Sequence, residues 1–397
     1  MADSNSGEVT VNLSERTDIE QREREYLAPY GALAAESKGR AYPLKEHPLR
    51  TAFQRDRDRV IHSTAFRRME FKTQVFLPYE GDHFRTRLTH SIEVAQIGRT
   101  LARSLRLNED LTEAVALVHD LGHTPFGHSG EFVLDDLLKD SGGFNHNRQS
   151  LRVVDILEQR YPEYPGLNLS YEVREGIVKH ETTVKITHPD FDTDTKPTLE
   201  ASLVDVADEI AYNGHDIDDG IRAGLITVEE VEELSIFKLN PEDFVPPFRS
   251  GRAFASLTAD QQRHSVVRYL VNLMATDVVN ETVTQLTRLG IDSLETLRHA
   301  SERVCRYSPE MTTAVKELKS FLFGQVYRHP NLVKMAERAE VILRTLFYKF
   351  KEDPARMPKR FQEMMLTEET DIVIADYIAG MTDRYAEKRL EDLGEPI

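Results

Sequence analysis

The stretch His119-Asp120-Leu121-Gly122-His123-Thr124-Pro125-Phe126-Gly127-His128-Ser129-Gly130-Glu131 places three imidazoles and two carboxylates close together. Cys305 is the one cysteine of the chain, which rules out a thiolate zinc cluster and an intrachain disulfide. Metal chemistry must therefore use His and carboxylates, which suit borderline or hard divalent ions. An apolar run from Leu111 to Val118 leads into His119-Asp120, so both side chains fall at the last turn of a buried helix, with Gly122 as its stop. A buried carboxylate beside an imidazole is costly unless a cation neutralises it. An isolated His-Asp pair more often caps a helix and faces water, and His215-Asp216 is a second such pair.

The neighbouring elements favour the metal reading. His90, Val94, Ile97 and Leu101 share one helical face, which turns His90 inward. Helix 127–138 sets His128 and Glu131 at i and i+3, and helix 145–161 puts His146 on the stripe of Val153 and Leu157. In helix 199–223, Val206, Ile210, Ile217 and Ile221 form the apolar side. Asp208, Tyr212, His215, Asp216 and Asp219 line the opposite side, with no Lys or Arg until Arg222, which reads as a pocket wall rather than a solvated face.

Sustained 3.6-residue periodicity predicts an all-α protein, with a small β-hairpin fitting residues 71–82. Residues 1–44 read as a loose N-terminal arm, 45–240 as the core, 241–257 as a linker and 258–397 as a helical C-terminal region packed on the core. Further helices are predicted over 47–69, 258–289, 309–351 and 368–393, and the loop 182–196 as exposed and mobile.

The chain has 397 residues, 40% of them hydrophobic and 29% charged, which predicts a globular protein. No apolar run spans a bilayer and the polar start lacks a signal sequence, so a cytoplasmic location is expected, with no membrane partner. A formal charge of −17 argues against a chain built to coat nucleic acid. Cations that meet a polyanion must be concentrated locally, and Arg55, Arg57, Arg59, Arg67, Arg68, Lys72, Arg85 and Arg87 are.

His90, His119-Asp120 and Asp208 together match the His…His-Asp…Asp pattern of the HD-domain metal-dependent phosphohydrolases. Arg87-Leu88-Thr89-His90, the string from His119 to Glu131, Asn145-His146-Asn147, Asp208 to Tyr212 with Asp216, Tyr327-Arg328-His329-Pro330 and residues 376–383 narrow it. With these the chain resembles the bacterial deoxynucleoside triphosphate triphosphohydrolases, the dGTPase-like proteins, nearly to its C-terminus. The resemblance implies an HD-domain helical bundle that hydrolyses a dNTP to the deoxynucleoside and inorganic triphosphate by attack at the α-phosphorus.

It further implies that His90, His119, Asp120 and Asp208 hold Mn²⁺, Fe²⁺, Ni²⁺ or Co²⁺, with Mg²⁺ arriving on the triphosphate. Arg87 would contact phosphate, and His128 with Glu131 would form the proton-transfer pair. His123 and His146 would reach the triphosphate or the scissile oxygen. Tyr212 would crowd the 2′ position, Asp216 would accept from the 3′-hydroxyl, and Gln74 is a weaker candidate for the base. Where the vertebrate relative has a phosphate-binding lysine this chain has Glu209, so Arg55, Arg59, Lys72 or Arg328 would replace it. A homo-oligomer is expected. A nucleotide effector, known in some relatives, is left open by these motifs, and single-stranded nucleic acid is a partner that none of them indicates. Two rivals stand: another HD nucleotide phosphohydrolase, and a catalytically silent nucleotide sensor or single-strand DNA binder.

Overall fold

The computed structural model describes residues 13–74, 85–180, 186–239, 246 and 252–395. Its α-helices of seven or more residues are α1 (Arg16–Tyr26), α2 (Ala52–Ile61), α3 (Arg87–Ser104), α4 (Glu109–Val118), α5 (Gly127–Leu137), α6 (His146–Arg152) and α7 (Tyr171–Val178). They continue with α8 (Leu199–Arg222), α9 (Ala259–Leu289), α10 (Pro309–Leu322), α11 (Pro330–Glu352), α12 (Thr370–Ala379) and α13 (Asp383–Asp392). No strand occurs among the described residues, and the predicted hairpin lies mostly outside them. Its described flanks, Thr73 and Thr86, pair in an isolated antiparallel bridge.

The centre of the molecule is α3, α4 and α8, packed on one another, with α2 against α4 and α9 against α8. Val94, Leu101, Leu111, Val115, Leu203 and Ile210 are buried between them. Gly176 lets α7 approach α4, because a Cβ there would stand 2.9 Å from the Val115 methyls. A second apolar cluster joins Val133 and Leu134 of α5 to Ile342, Leu343, Leu346 and Phe347 of α11 and Ile374 and Ile378 of α12. The amphipathic α5 thus packs its apolar face on the C-terminal helices.

Several predicted boundaries move, each for a local reason. The helix expected over 47–69 is broken at Ser63, whose hydroxyl accepts from the Phe66 amide and starts a new short helix. The helix expected over 309–351 stops before Pro330, which opens α11 with His329 as its cap. Residues 368–393 form two helices, because Thr382 caps α13. Helix 145–161 ends its regular part at Arg152 and passes into a π-turn over Val153–Leu157.

The N-terminal arm is not loose where it is described. Ala32 and Ala34 are buried, the Ala32 amide donates to Glu200 at 2.9 Å, and Arg40 pairs with the buried Asp56. In the loop expected to be exposed, Ile186 and Phe191 are buried and Lys196 donates to the Arg298 carbonyl; residues 181–185 lie outside the described set. The expected linker also falls mainly outside it, apart from a short helix over Arg252–Ala255. Gly122 does not act through a left-handed stop. A Cβ there would meet the His146 carbonyl and the Ser150 amide at 2.2 Å, so this glycine admits the α6 backbone against the His-Asp turn.

Candidate metal and nucleotide site

A capping box between Thr86 and Thr89 fixes the start of α3 and sets Arg87 at its first position and His90 one turn in. His119 closes α4, with Asp120 next to it, and Asp208 lies in the third turn of α8. His90, His119 and Asp120 are buried and Asp208 is half-buried. The Nε2 of His90 is 2.8 Å from Asp208 Oδ1 and 3.9 Å from Asp120 Oδ2. The Nε2 of His119 is 3.3 Å from Asp120 Oδ1 and 3.8 Å from Asp208 Oδ1. Three separate helices therefore bring these imidazoles and carboxylates together in two overlapping groups, His90 with His119 and Asp120, and His119 with Asp208 and His180.

These residues fit a divalent ion. His119 Nδ1 lies 2.6 Å from the Ala116 carbonyl, which fixes its hydrogen there, and the buried Nε2 has no hydrogen-bond partner among the described residues. Burial lowers the pKa of His119 and favours the neutral, ligating imidazole. Burial pushes Asp120 up, but His119, His123 and Arg87 outweigh it and hold the carboxyl well below its usual range; for Asp208 the hydrogen bond from His90 does the same. His180, at the end of α7, joins this group: its Nε2 is 3.9 Å from Asp208 Oδ2 and its Nδ1 is 2.6 Å from Asp205.

Arg87 is buried alongside. Its Nη1 donates to Asp120 Oδ2 at 2.9 Å, while its Nε and Nη2 are buried without partners among the described residues. A guanidinium in that state is an anion site, because unpaired donors away from water are costly until an oxygen meets them.

Beside it stands a second cluster. His123 Nε2 is 3.0 Å from Asp120, and its ring stacks on His146 with centroids 4.0 Å apart. Glu131 accepts from the His146 amide and lies 2.9 and 3.0 Å from His146 Nδ1 through its two oxygens. The predicted Glu131 partner, His128, is exposed and 3.7 Å away. Burial pushes Glu131 up, but His128 and His146 outweigh it and keep it an anion far into acid. The turn before α5 is strained: Phe126 has φ +61°, held by a hydrogen bond from its amide to Asp383, which also accepts from Thr73.

Along α8, Tyr212 faces a cavity of about 310 Å³ that also meets Gln74, His128, Tyr327, Val333 and Met335, and Asp216 is tied to that wall through Tyr327. The Tyr327 hydroxyl bonds both the Tyr212 hydroxyl and Asp216, and the two Tyr rings stack. Burial, then the neighbouring Asp219, raises the pKa of Asp216 well above the usual carboxylate range. Gln74 is at the cavity with its Oε1 buried and without a partner among the described residues.

The four cations proposed to replace the missing lysine are placed elsewhere or already engaged. Lys72 is buried and donates to the carbonyls of His123, at 2.5 Å, and Ala379, at 2.7 Å; burial lowers it to about 7. Arg59 donates to Tyr164 and the Leu167 carbonyl, and Arg55 to the Lys45 carbonyl. Arg328 is exposed with its guanidinium over Phe323. From that motif it is Tyr327 that enters the site. Glu209 itself pairs with Lys319 of α10.

The sequence reading gave no role to His180, Glu93 or Tyr327 and assigned His215 to the wall alone. A signal existed for two of them: His215 is part of the His-Asp repeat, and His180 ends its helix beside an acid much as His119 does.

The HD domain model matches residues 87–213, the span from Arg87 through Asp208 and Tyr212, and the phosphohydrolase-associated domain model matches 305–392, which includes α11 and α12 of the cluster around α5. Fold and site together thus define a helical HD-domain phosphohydrolase. The chain is 44% identical over 387 residues to the deoxyguanosinetriphosphate triphosphohydrolase-like protein of Geobacter metallireducens, covering 97% of this chain and 99% of that one. It is 47% identical to the protein of that name from Ralstonia pickettii, over 91% and 93% of the two chains, and 48% identical to that of Thiobacillus denitrificans, over 91% and 95%. The chain belongs to the deoxyguanosinetriphosphate triphosphohydrolase-like family. A crystal structure of a hypothetical protein from Aquifex aeolicus aligns at 20% identity and a TM-score of 0.31, covering 76% of this chain and 77% of its own. No described helix is long and apolar enough to cross a membrane.

Proposed function

We propose that this protein hydrolyses deoxynucleoside triphosphates to the deoxynucleoside and inorganic triphosphate, with a divalent metal held by His90, His119, Asp120 and Asp208. The observation that carries the reading is Arg87, a buried guanidinium beside that donor set with two nitrogens that have no partner among the described residues. The names of the relatives, which specify dGTP, point the same way.

A divalent ion in that set supplies a Lewis acid for a phosphate oxygen and a lowered pKa for water. The chain's own residues do the rest. Arg87 binds and orients the phosphate as a fixed cation. Attack of water oxygen on the α-phosphorus breaks the bond to the 5′-oxygen, and one proton must reach that oxygen. His123, His128 and His146, gathered around Glu131, are the groups that hold and deliver it. Tyr212, Asp216 and Tyr327 form the sugar wall, and Gln74 meets the base.

The test is a panel of each dNTP alone and in pairs, with Mn²⁺ or Mg²⁺, scored by product. Inorganic triphosphate is expected. Release of monophosphate or pyrophosphate would move the chain to another HD phosphohydrolase activity, and nucleotide binding without turnover would make it a sensor.

A further inference from the structure

Two of the imidazoles assigned to the metal are held from behind in different ways. His119 gives its Nδ1 to a backbone carbonyl, that of Ala116. His90 uses a side chain: its Nδ1 faces the Nδ1 of His215 at 3.3 Å, with the rings edge to face and their centroids 5.3 Å apart. Two imidazole nitrogens at that distance share one hydrogen, so one ring donates and the other accepts.

Which ring donates follows from the surroundings. Without an ion the Nε2 of His90 donates to Asp208 at 2.8 Å, but an imidazole that ligates an ion in the donor set must present a lone pair at that nitrogen. Its hydrogen is then on Nδ1, and the Nδ1 of His215 must accept it. That places the hydrogen of His215 on Nε2, where it meets the carboxylate of Glu93. Glu93 is itself steadied by Arg85, which also bonds Asp218 at 2.7 Å and Asp219 at 3.1 Å on α8. Each hydrogen along the chain is set by its neighbour, beginning with a carboxylate that can only accept.

We propose that His215 and Glu93 are positioning residues: together they fix His90 in the tautomer whose Nε2 carries the lone pair, and so tune the metal affinity of the site. The inference rests on the metal reading above. It gives the second His-Asp pair of the sequence a use, with Asp216 bonded to Tyr327 and His215 turned toward His90. A buried histidine that merely fills space would not require a donor at its Nδ1 and a carboxylate at its Nε2.

The measurement is Mn²⁺ affinity by calorimetry on full-length protein stripped of metal, with the Tm of each metal-free variant recorded beside it. His215→Leu and Glu93→Ala should weaken Mn²⁺ binding by roughly 10- to 100-fold, the usual consequence of losing a partner behind a ligating histidine. His215→Asn, whose side-chain oxygen falls near the lost Nδ1, should restore most of the affinity. Glu93 is partly exposed, so Glu93→Ala and Glu93→Gln report on the relay even if His215→Leu does not fold. Glu93→Gln should be intermediate, since its oxygen still accepts without the charge. Wild-type affinity in Glu93→Ala, or His215→Asn as weak as His215→Leu, overturns the relay. Absence of Mn²⁺ binding by the wild-type protein overturns the metal reading and the relay with it.

Discussion

The two carboxylate oxygens of Glu131 both lie within 3.0 Å of the Nδ1 of His146, whereas His128, on the same helix as Glu131, stays 3.7 Å away. Glu131 therefore serves two imidazoles, one firmly and one at the edge of the cavity. His128→Ala should lower kcat by roughly 10²-fold with metal retained. Glu131→Ala should be worse, because it releases His146 as well. The double variant should add little to the Glu131 effect if the three act together. Metal analysis with steady-state kinetics checks this, and loss of metal in either single variant would make the residue a ligand.

Asp208 is the donor proposed from α8, 2.8 Å from His90. Asp208→Ala should lower both the bound metal per chain, about one transition-type ion in the wild type, and the activity. Full occupancy with normal turnover would remove Asp208 from the set.

Tyr327 holds Tyr212 and Asp216 with one hydroxyl. Tyr212→Ala should admit some GTP or ATP by removing a ring from the sugar wall, and Asp216→Ala should mainly lower kcat/KM for dNTPs. Tyr327→Phe should raise KM more than it lowers kcat, since the wall keeps its rings but loses its brace. A Tyr212→Ala enzyme that still turns over dNTPs and refuses ribonucleotides would show that the gate lies elsewhere.

Gly122 has backbone atoms of α6 within 2.2 Å of where a Cβ would stand. Backbone yields less readily than the end of a side chain, so Gly122→Ala should cost at least about 1–3 kcal/mol of stability. It should also displace His146 from the His119-Asp120 turn. Thermal unfolding and turnover measured together test both effects, and an unchanged Tm would mean that α6 gives way freely.

Cys305 is completely buried, and burial pushes its thiol up to about 12. A disulfide reagent at neutral pH should label the native chain only as fast as the region opens, and rapidly in denaturant. Fast labelling without denaturant would show that the start of the C-terminal region opens on its own.

Residues within one helix were legible before any coordinates. His90 shares the face of Val94 and Leu101, and Asp208, Tyr212 and Asp216 follow one another at a spacing of four, because the helical period alone determines those relations. The apolar neighbours reveal the inward direction of His90 and His119, whereas Asp208, opposite the apolar side of its helix, joins the candidate set through the His…His-Asp…Asp pattern.

Partners that meet across helices were not legible. Whether Glu131 takes His128 or His146, whether Tyr327 or Arg328 enters the site, and whether His215 meets His90 all depend on how two cylinders cross. No local pattern encodes that angle. Charge was legible, but not its fate. Lys72 and Arg59 read as free cations, yet tertiary packing brings main-chain carbonyls within reach of both, and a buried cation takes whichever acceptor the fold presents first. Arg87 differs because two of its nitrogens meet no acceptor among the described residues. Local periodicity thus determined which residues face inward, and the packing of α3, α4, α5 and α8 decided which of them remain available to a ligand.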